Sequence, residues 1–396
     1  MELQLSAEQL EAGALCIDKS KKLVGVTGEA GTGKTTLLKY AVDNLDIPSD
    51  KIRLCAPTGR AAKRIQEATG IYAMTIHRMM RWSMPDDDDE MGLPSYDKSN
   101  KLPYDAIFLD EASMIDEDLF RSVIDAMHSR AIIRFFGDIN QLPPIQGKSP
   151  FARILEKFPS VRLTYNFRSI DGIVAAARSI NRGRVPAIND QFNMFNPGQD
   201  FNMMAIIDKY TDDSYRGLNG QVIIPTRIGK YGCTAVNSFM QQKHNPTGPV
   251  LKLRYKAFDD NIEERRFRVG DKVIWTKNDY KLKLFNGMIG WISEMDLEDG
   301  DITINFDGRD KHIPPHLESY DPAGKAIFQY DPRKNIELAY AVTTHKAQGS
   351  EFDNVLLILN RSKVLDRANF YTAVTRAKFG INVVLGTGAL HQAMKK

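Results

Sequence analysis

Gly28-Glu29-Ala30-Gly31-Thr32-Gly33-Lys34-Thr35 is the stretch that decides the fold. It fits the spacing G-x-x-x-x-G-K-[ST]. The apolar run Lys22–Thr27 (KLVGVT) precedes it and reads as a strand, and a helical stretch opens at about Gly33. That context gives the pattern its physical meaning. The glycines let backbone N–H groups converge on phosphate oxygens, and the helix N-terminus adds partial positive charge. On this reading Lys34 reaches the β- and γ-phosphates of ATP, and the Thr35 hydroxyl ligates Mg²⁺.

A phosphate loop of this kind needs a carboxylate for its metal. Asp110-Glu111-Ala112-Ser113 stands at the carboxyl end of the apolar run Ala106–Asp110 (AIFLD), the edge of a parallel sheet where ligands bind. Asp110 is therefore expected to hold Mg²⁺, and Glu111 to orient and deprotonate the attacking water. Phe136-Gly137-Asp138-Ile139-Asn140-Gln141-Leu142-Pro143-Pro144 ends the next strand and offers Gln141 as a γ-phosphate sensor. Charge spreading over the transferred phosphoryl group calls for further cations. Arg168 (NFRS) and Arg376 (VTRAK) are the candidates, and both are assigned to a second lobe.

Around these motifs, short apolar strands alternate with helical stretches, which implies a parallel sheet with helices on both faces. Strands are expected at Ile52–Ala56 and Ile132–Phe136, with a helix through Arg60–Ala68. The rhythm restarts with strands at Gln221–Pro225, Glu337–Val342, Val355–Leu359 and Ile381–Leu385. Helices are expected around Ile170–Ile180, Thr234–Gln242 and Ala368–Ala377. Two insertions interrupt this. One, at about Met79–Tyr104, carries Pro85, Gly92, Pro94, Pro103 and the run Asp86–Glu90, read as a solvated loop tip. The other, Leu251–Asn335, reads as all-β. Its turn signals are Asn286-Gly287, where both residues tolerate positive φ, and Asp307-Gly308 after the alternating Ile302, Ile304 and Phe306. Short strands with tight turns suggest a small barrel, with Trp275 and Trp291 in its core.

Taken together, the motifs resemble those of superfamily 1 helicases, in the branch that contains RecD and the phage Dda helicase, and they run in that family's order over nearly the whole chain. Gln9 resembles the adenine-reading glutamine. GEAGTGKTT, through Thr36, resembles the first motif, which contacts the nucleotide through Gly28, Ala30, Gly31, Thr32, Gly33, Lys34, Thr35 and Thr36. Ala56-Pro57-Thr58-Gly59-Arg60-Ala61-Ala62-Lys63-Arg64 and Thr75-Ile76-His77 resemble strand-contacting segments. Asn166-Phe167-Arg168-Ser169 resembles the arginine-finger motif, with Phe167 where an adenine-stacking aromatic sits. Thr343-Thr344-His345-Lys346-Ala347-Gln348-Gly349-Ser350-Glu351-Phe352 is the most branch-specific string. Its Gly349 and Glu351 fall on the nucleotide side. Tyr371–Ala377 closes the set.

The resemblance implies an α/β fold of two RecA-like lobes with ATP between them. It places a β-hairpin pin at residues 79–104 and an SH3-like β-barrel at 251–335. The first lobe then comprises 1–78 and 105–164, and the second 165–250 and 336–396. It also implies a DNA helicase moving 5′ to 3′ on single-stranded DNA. Pro57, Thr58, Arg60, Lys63, His77, Thr343 and His345 are then candidate strand contacts. Trp82 would either stack on a base at the fork or, as a bulky side chain does more often, pack at the base of the hairpin. The implied partners are single-stranded DNA, its junction with duplex, and a single-stranded-DNA-binding protein or a replication or recombination partner, with the chain a monomer. An RNA helicase and an ATP-switched accessory that does not unwind are the competing readings. The intact set Lys34, Glu111, Arg168 and Arg376 argues against a degenerate subunit that only binds partners.

Bulk properties agree with a globular enzyme without choosing its ligand. Of 396 residues, 42% are hydrophobic and 26% charged, and the net charge of +3 neither announces nor excludes nucleic acid. Cys16, Cys55 and Cys233 have the spacing of neither a zinc site nor a disulfide framework. His312 and His316 are i,i+4, but the intervening prolines forbid the helix a zinc pair would need. No signal peptide and no apolar run of membrane-spanning length is read, so a cytoplasmic protein is expected; a bacterial or phage-infected host cytoplasm is the expected setting.

Overall fold

The apolar run before the glycine loop forms β1, Leu23–Gly28, and all six of its residues are buried. A strand buried on both faces needs a sheet with helices on either side, and that is what surrounds it. The computed structural model describes residues 5–82, 94–144, 147–167, 171–198, 202–211, 220–256, 262–279, 281–320 and 326–395. Contacts divide the chain into two compact units, Met1–Arg182 and Gly183–Lys396.

In the first unit β1 joins β2 (Ile52–Ala56), β3 (Ala73–Thr75), β4 (Ala106–Leu109), β5 (Ile132–Gly137) and β6 (Ser160–Leu163). The order is β3-β2-β4-β5-β1-β6, and every pairing is parallel. Successive side chains of one strand point to opposite faces, and the sequence uses this. Leu54, Phe108 and Phe136 join a core with helices α1 (Ala7–Ile17), α2 (Lys34–Asn44) and α3 (Gly59–Thr69). Cys55, Ile107, Leu109 and Phe135 join the opposite core, with α4 (Ile76–Met79), α5 (Glu117–Ala126) and α6 (Phe151–Lys157). Helix α7, Asp171–Asn181, completes the unit.

That last helix corrects a boundary. A break at 164/165 assigned the chain from residue 165 onward to the second lobe, yet Thr164–Phe167 and α7 belong to the first unit. The cause is local bonding. The Asn166 side-chain amide donates to Ala30 O at 2.7 Å, the Phe167 N–H donates to Gly31 O at 2.9 Å, and Arg178 pairs with Glu29 at 3.1 Å.

The pin expected between residues 79 and 104 is described only at its base, because residues 83–93, including Asp86–Glu90, lie outside the described residues. Trp82 bridges Pro94 in antiparallel fashion, packs half-buried against the core, and lies 5.2 Å from the His77 ring. This is packing at the foot of the segment.

The second unit holds a five-stranded parallel sheet in the order β18-β8-β19-β20-β7. Its strands are β7 (Phe192–Phe195), β8 (Gly220–Ile224), β18 (Ala341–Thr343), β19 (Phe352–Leu359) and β20 (Ala377–Leu385). Its helices are α8 (Met203–Tyr210), α9 (Cys233–His244), α10 (Thr344–Ala347), α11 (Arg367–Val374) and α12 (Ala389–Ala393).

Between β8 and β18 the chain builds the β module. A two-stranded pair, β9 (Leu251–Lys256) and β10 (Ile262–Phe267), leads into an antiparallel sheet ordered β14-β13-β12-β11-β17. That sheet comprises β11 (Lys272–Trp275), β12 (Ile289–Met295), β13 (Ile302–Phe306), β14 (Arg309–Ile313) and β17 (Ile336–Leu338). The pair β15 (Leu317–Tyr320) and β16 (Ala326–Tyr330) completes it.

Three details differ from expectation. Residues Glu337–Val342 are two strands: β17 pairs with β11 in the module, the chain bends at Ala339-Tyr340, and β18 enters the parallel sheet. The module therefore extends past residue 335. At Asn286-Gly287 only Gly287 has positive φ, 91°, so this turn lacks the two left-handed residues of the tightest hairpins. Asp307 and Gly308 do both adopt it, at 51° and 79°, and they make the two-residue reversal between β13 and β14. Trp275 is fully buried, whereas Trp291 is only half-buried, with the Lys272 ammonium 5.7 Å over its ring.

Among the described residues no helix is long and apolar enough to cross a membrane. All three cysteines are buried, and burial raises the thiol pKa of Cys16 and of Cys233 to about 12.

Candidate functional site

The glycine loop bridges the end of β1 and the start of α2. Gly31 and Gly33 take φ of 84° and 75°, a left-handed backbone that residues with a Cβ rarely adopt. Gly33 is the residue before the helix and offers no side-chain cap. Among the described residues, the N–H groups of Gly31, Gly33, Lys34 and Thr35 donate no hydrogen bond. They are free donors at the N-terminus of an 11-residue helix, the arrangement that binds phosphate.

The Lys34 ammonium donates to Gly28 O at 2.6 Å and Glu29 O at 3.0 Å, so it lies folded over the loop whose phosphates it is expected to reach. Thr35 and Thr36 are half-buried on the first turn. Thr32 is buried, and its hydroxyl donates to Glu29 O at 2.9 Å, closing the loop from inside.

Helix α1 delivers Gln9 to this loop. Ser6 and Gln9 form a reciprocal capping box at its start. Gln9 is 2% exposed, and its amide nitrogen lies 3.4 Å from both Thr32 O and Gly33 O while its oxygen accepts from the Ser6 N–H. Across Gly33 stands Phe167, 46% exposed. Its ring lies 3.4 Å from where a Gly33 Cβ would project, and 4.8 Å edge-on from Tyr165. The structure thus gathers Gln9, the phosphate loop and Phe167 in one place. Arg168 lies outside the described residues.

Asp110 follows β4 and is buried. Burial, and then the negative charge of Glu111, raise its pKa to about 6, while Lys34 and Arg64 pull the other way. A buried carboxyl held above its normal range by a second carboxylate is a good site for a cation, which would relieve both causes. Carboxylate and hydroxyl oxygens, as Asp110 and Thr35 carry, are the ligand type that Mg²⁺ favours. Glu111 has φ of 52°, unusual for a residue with a side chain, and it starts a short turn at Ala112–Met114. After β5, Asp138 is buried and accepts the Asn140 N–H at 3.0 Å. Gln141 is 6% exposed, and its side-chain oxygen has no partner among the described residues.

The remaining candidates have defined jobs in their own units. The hydroxyls of Thr58 and Thr343 cap α3 and α10 by accepting the Ala61 and Lys346 N–H groups. Pro57 and Arg60 are half-buried beside that cap, and Lys63 lies 3.7 Å from Glu67. Burial lowers the pKa of both His77 and His345, which favours the neutral imidazole at pH 7.

In the second unit Arg376 is 2% exposed. Its guanidinium donates to Thr372 O, Ser350 O and the Thr375 hydroxyl at 3.0–3.1 Å, which brings Arg376 together with the Gly349–Glu351 segment. Two residues escaped sequence reasoning. Glu8 accepts from the Thr164 hydroxyl and from the N–H groups of Thr164 and Tyr165, and these bonds, the hydroxyl's foremost, hold its pKa below the usual carboxylate range. Arg178 binds Glu29 within the glycine loop. Glu8 is the neighbour of Gln9 in the stretch LSAEQ, and Arg178 belongs to no motif.

A strand, a left-handed glycine loop and a helix, with a buried aspartate at the end of a strand of the same sheet, define a P-loop nucleoside-triphosphatase unit. The chain matches the family described as AAA domain at residues 4–195. It also matches the ATP-dependent RecD-like DNA helicase SH3 domain at 236–306, and the UvrD-like helicase C-terminal domain at 338–384. It is 32% identical over 371 residues to the ATP-dependent RecD2 DNA helicase of Deinococcus radiodurans, covering 90% of this chain and 46% of that protein. It is 26% identical over 423 residues to the RecBCD enzyme subunit RecD of Mycolicibacterium smegmatis, covering 95% and 71%. Its fold matches that of Pif1 helicase from Bacteroides in complex with ADP-AlF3 and ssDNA, with TM-score 0.62, 21% identity, and coverage of 98% and 96%. It also matches Pif1 helicase from Candida albicans, with TM-score 0.62, 17% identity, and coverage of 100% and 97%. The chain is thus similar to RecD-like helicases over nearly its whole length, and its fold is that of the Pif1 structures. It spans less than half the length of its Deinococcus relative.

Proposed function

We propose that this chain hydrolyses ATP to move along single-stranded DNA, 5′ to 3′, and to separate duplex ahead of it. The observation that carries the proposal is the ring of free N–H donors around Lys34 at the head of α2, with the buried Asp110 and Glu111 in the same unit. The relatives' names support the same reading: one is an ATP-dependent DNA helicase, and a Pif1 structure of this fold is bound to ssDNA.

Thr35 and Asp110 would hold Mg²⁺, which when bound neutralises developing charge on the phosphates. Glu111 orients the attacking water and takes its proton, Gln141 senses the terminal phosphate, and Gln9 with Phe167 reads the base. Arg168 and Arg376 are the candidates for the further cations that a transferred phosphoryl group calls for, and Gly349 and Glu351 are candidate nucleotide contacts. Pro57, Thr58, Arg60, Lys63, His77, Thr343 and His345 are the candidate strand contacts, and the chain works as a monomer in the cytoplasm. A single-stranded-DNA-binding protein is a natural partner in replication or recombination.

The test is unwinding of duplexes with a single 5′ or 3′ tail, with Lys34→Ala as control. Unwinding from the 5′ tail alone is expected. Unwinding from the 3′ tail alone reverses the polarity, and ATP-independent strand separation removes the motor.

A further inference from the structure

We propose that Arg178 is a positioning residue that locks the Phe167 ring against the glycine loop and thereby sets a preference for purine over pyrimidine triphosphates. This rests on the nucleotide-binding reading above.

The segment Thr164–Phe167 leaves β6 without regular secondary structure, so its position depends on individual bonds. From α1, the Glu8 carboxylate accepts the Thr164 N–H at 2.6 Å, the Tyr165 N–H at 3.1 Å and the Thr164 hydroxyl. From the other side, Asn166 and Phe167 donate to the loop carbonyls of Ala30 and Gly31. Arg178 joins the two partners directly. Its Nε donates to the Glu29 carboxylate at 3.1 Å, and a terminal nitrogen donates to Thr164 O at 3.1 Å. One guanidinium thus ties the loop that would hold the phosphates to the strand exit that carries the base platform, with the planar two-point geometry that lysine lacks.

Arg162 and Arg182 line the same cavity, of about 580 Å³, but among the described residues no hydrogen bond joins either to Glu29. Neither substitutes for Arg178. The Phe167 ring is 46% exposed, so its own packing fixes it only partly, and its backbone tether must do the rest. An aromatic face discriminates by the area of base it covers, and purines offer more of it. Loosening the tether therefore weakens ATP more than UTP, while the phosphate contacts common to both are kept.

The experiment is equilibrium binding of fluorescent ribose-labelled ATP and UTP to the wild-type chain, Arg178→Ala, Arg178→Lys, Phe167→Ala and the Phe167→Ala/Arg178→Ala double variant. Melting temperatures are measured alongside. Arg178→Ala is expected to weaken ATP about 5–10-fold and UTP less than about 2-fold, with Arg178→Lys in between. Because Arg178 acts through Phe167, the double variant should bind ATP no more weakly than Phe167→Ala alone. Equal losses for ATP and UTP, or additive losses in the double variant, overturn the proposal and leave Arg178 a structural residue. Wild-type chain that binds neither nucleotide overturns the nucleotide reading itself. Wild-type chain that prefers ATP, with Arg178→Ala unchanged, overturns only the role of Arg178.

Discussion

Each unit has a parallel sheet and a helix that follows one of its strands, but the two strand-to-helix turns are built for opposite ends. After β1, Gly31 and Gly33 turn the chain left-handed, and the first N–H groups of α2 stay free. After β8, the chain closes on itself. The Cys233 N–H donates to Thr226 O at 3.0 Å, and the Thr234 N–H donates to Arg227 O at 3.1 Å. A Cβ on Gly232 would stand 2.6 Å from the Ile228 carbonyl carbon and 2.7 Å from Arg227 O. One turn leaves its donors for an anion, whereas the other spends them on its own carbonyls. Similar layers do not make two nucleotide sites; backbone donors left unsatisfied at a helix start make one.

The comparison can be broken at several points. If the second unit contributes a cation rather than a loop, Arg376→Ala should leave ATP binding intact and lower kcat about 10³-fold. Impaired binding with normal kcat would remove Arg376 from that role. Gly232→Ala should force the closed turn apart and cost about 2–4 kcal/mol of stability, read by denaturant unfolding, with nucleotide affinity unchanged. A loss of nucleotide affinity in a folded variant would mean that the second turn is not the inert one.

Asp110 sharpens the comparison through pH. Its pKa is raised to about 6 on folding, so its contribution to stability is complete when it is protonated, below its unfolded value, and is lost as pH climbs through the folded value. Asp110→Asn cannot ionise. It should therefore melt higher than the parent at pH 8, by an amount worth about 2 kcal/mol, with little difference at pH 4, while hydrolysis disappears. An equal shift at both pH values would contradict the burial argument.

The sequence was most legible where backbone geometry and chemistry are local. Gly31, Gly33, Lys34, Asp110 and Glu111 are read from a strand, a spacing and a helix start. The alternation of Ile302, Ile304 and Phe306 marks β13 for the same reason, and all three are buried. What escaped depends on partners far along the chain. Arg134 reads as an odd residue in an apolar strand, yet it is buried because it donates to the carbonyls of Cys16, Asp18 and Lys21, more than a hundred residues earlier. Asn237 bonds Leu338 O and both the N–H and the C=O of Ala341, which fixes the bend between β17 and β18 that periodicity had joined into one strand. The first unit runs past 164 because Glu8 and Glu29 reach forward to Thr164 and Arg178, and no local pattern announces that.

Steady-state ATP hydrolysis by the purified chain, with and without single-stranded DNA and with Lys34→Ala beside it, tests the central claim most directly. The account predicts turnover that rises at least about tenfold when the strand is added and that vanishes with Lys34. Hydrolysis indifferent to DNA, or undiminished in Lys34→Ala, would contradict it.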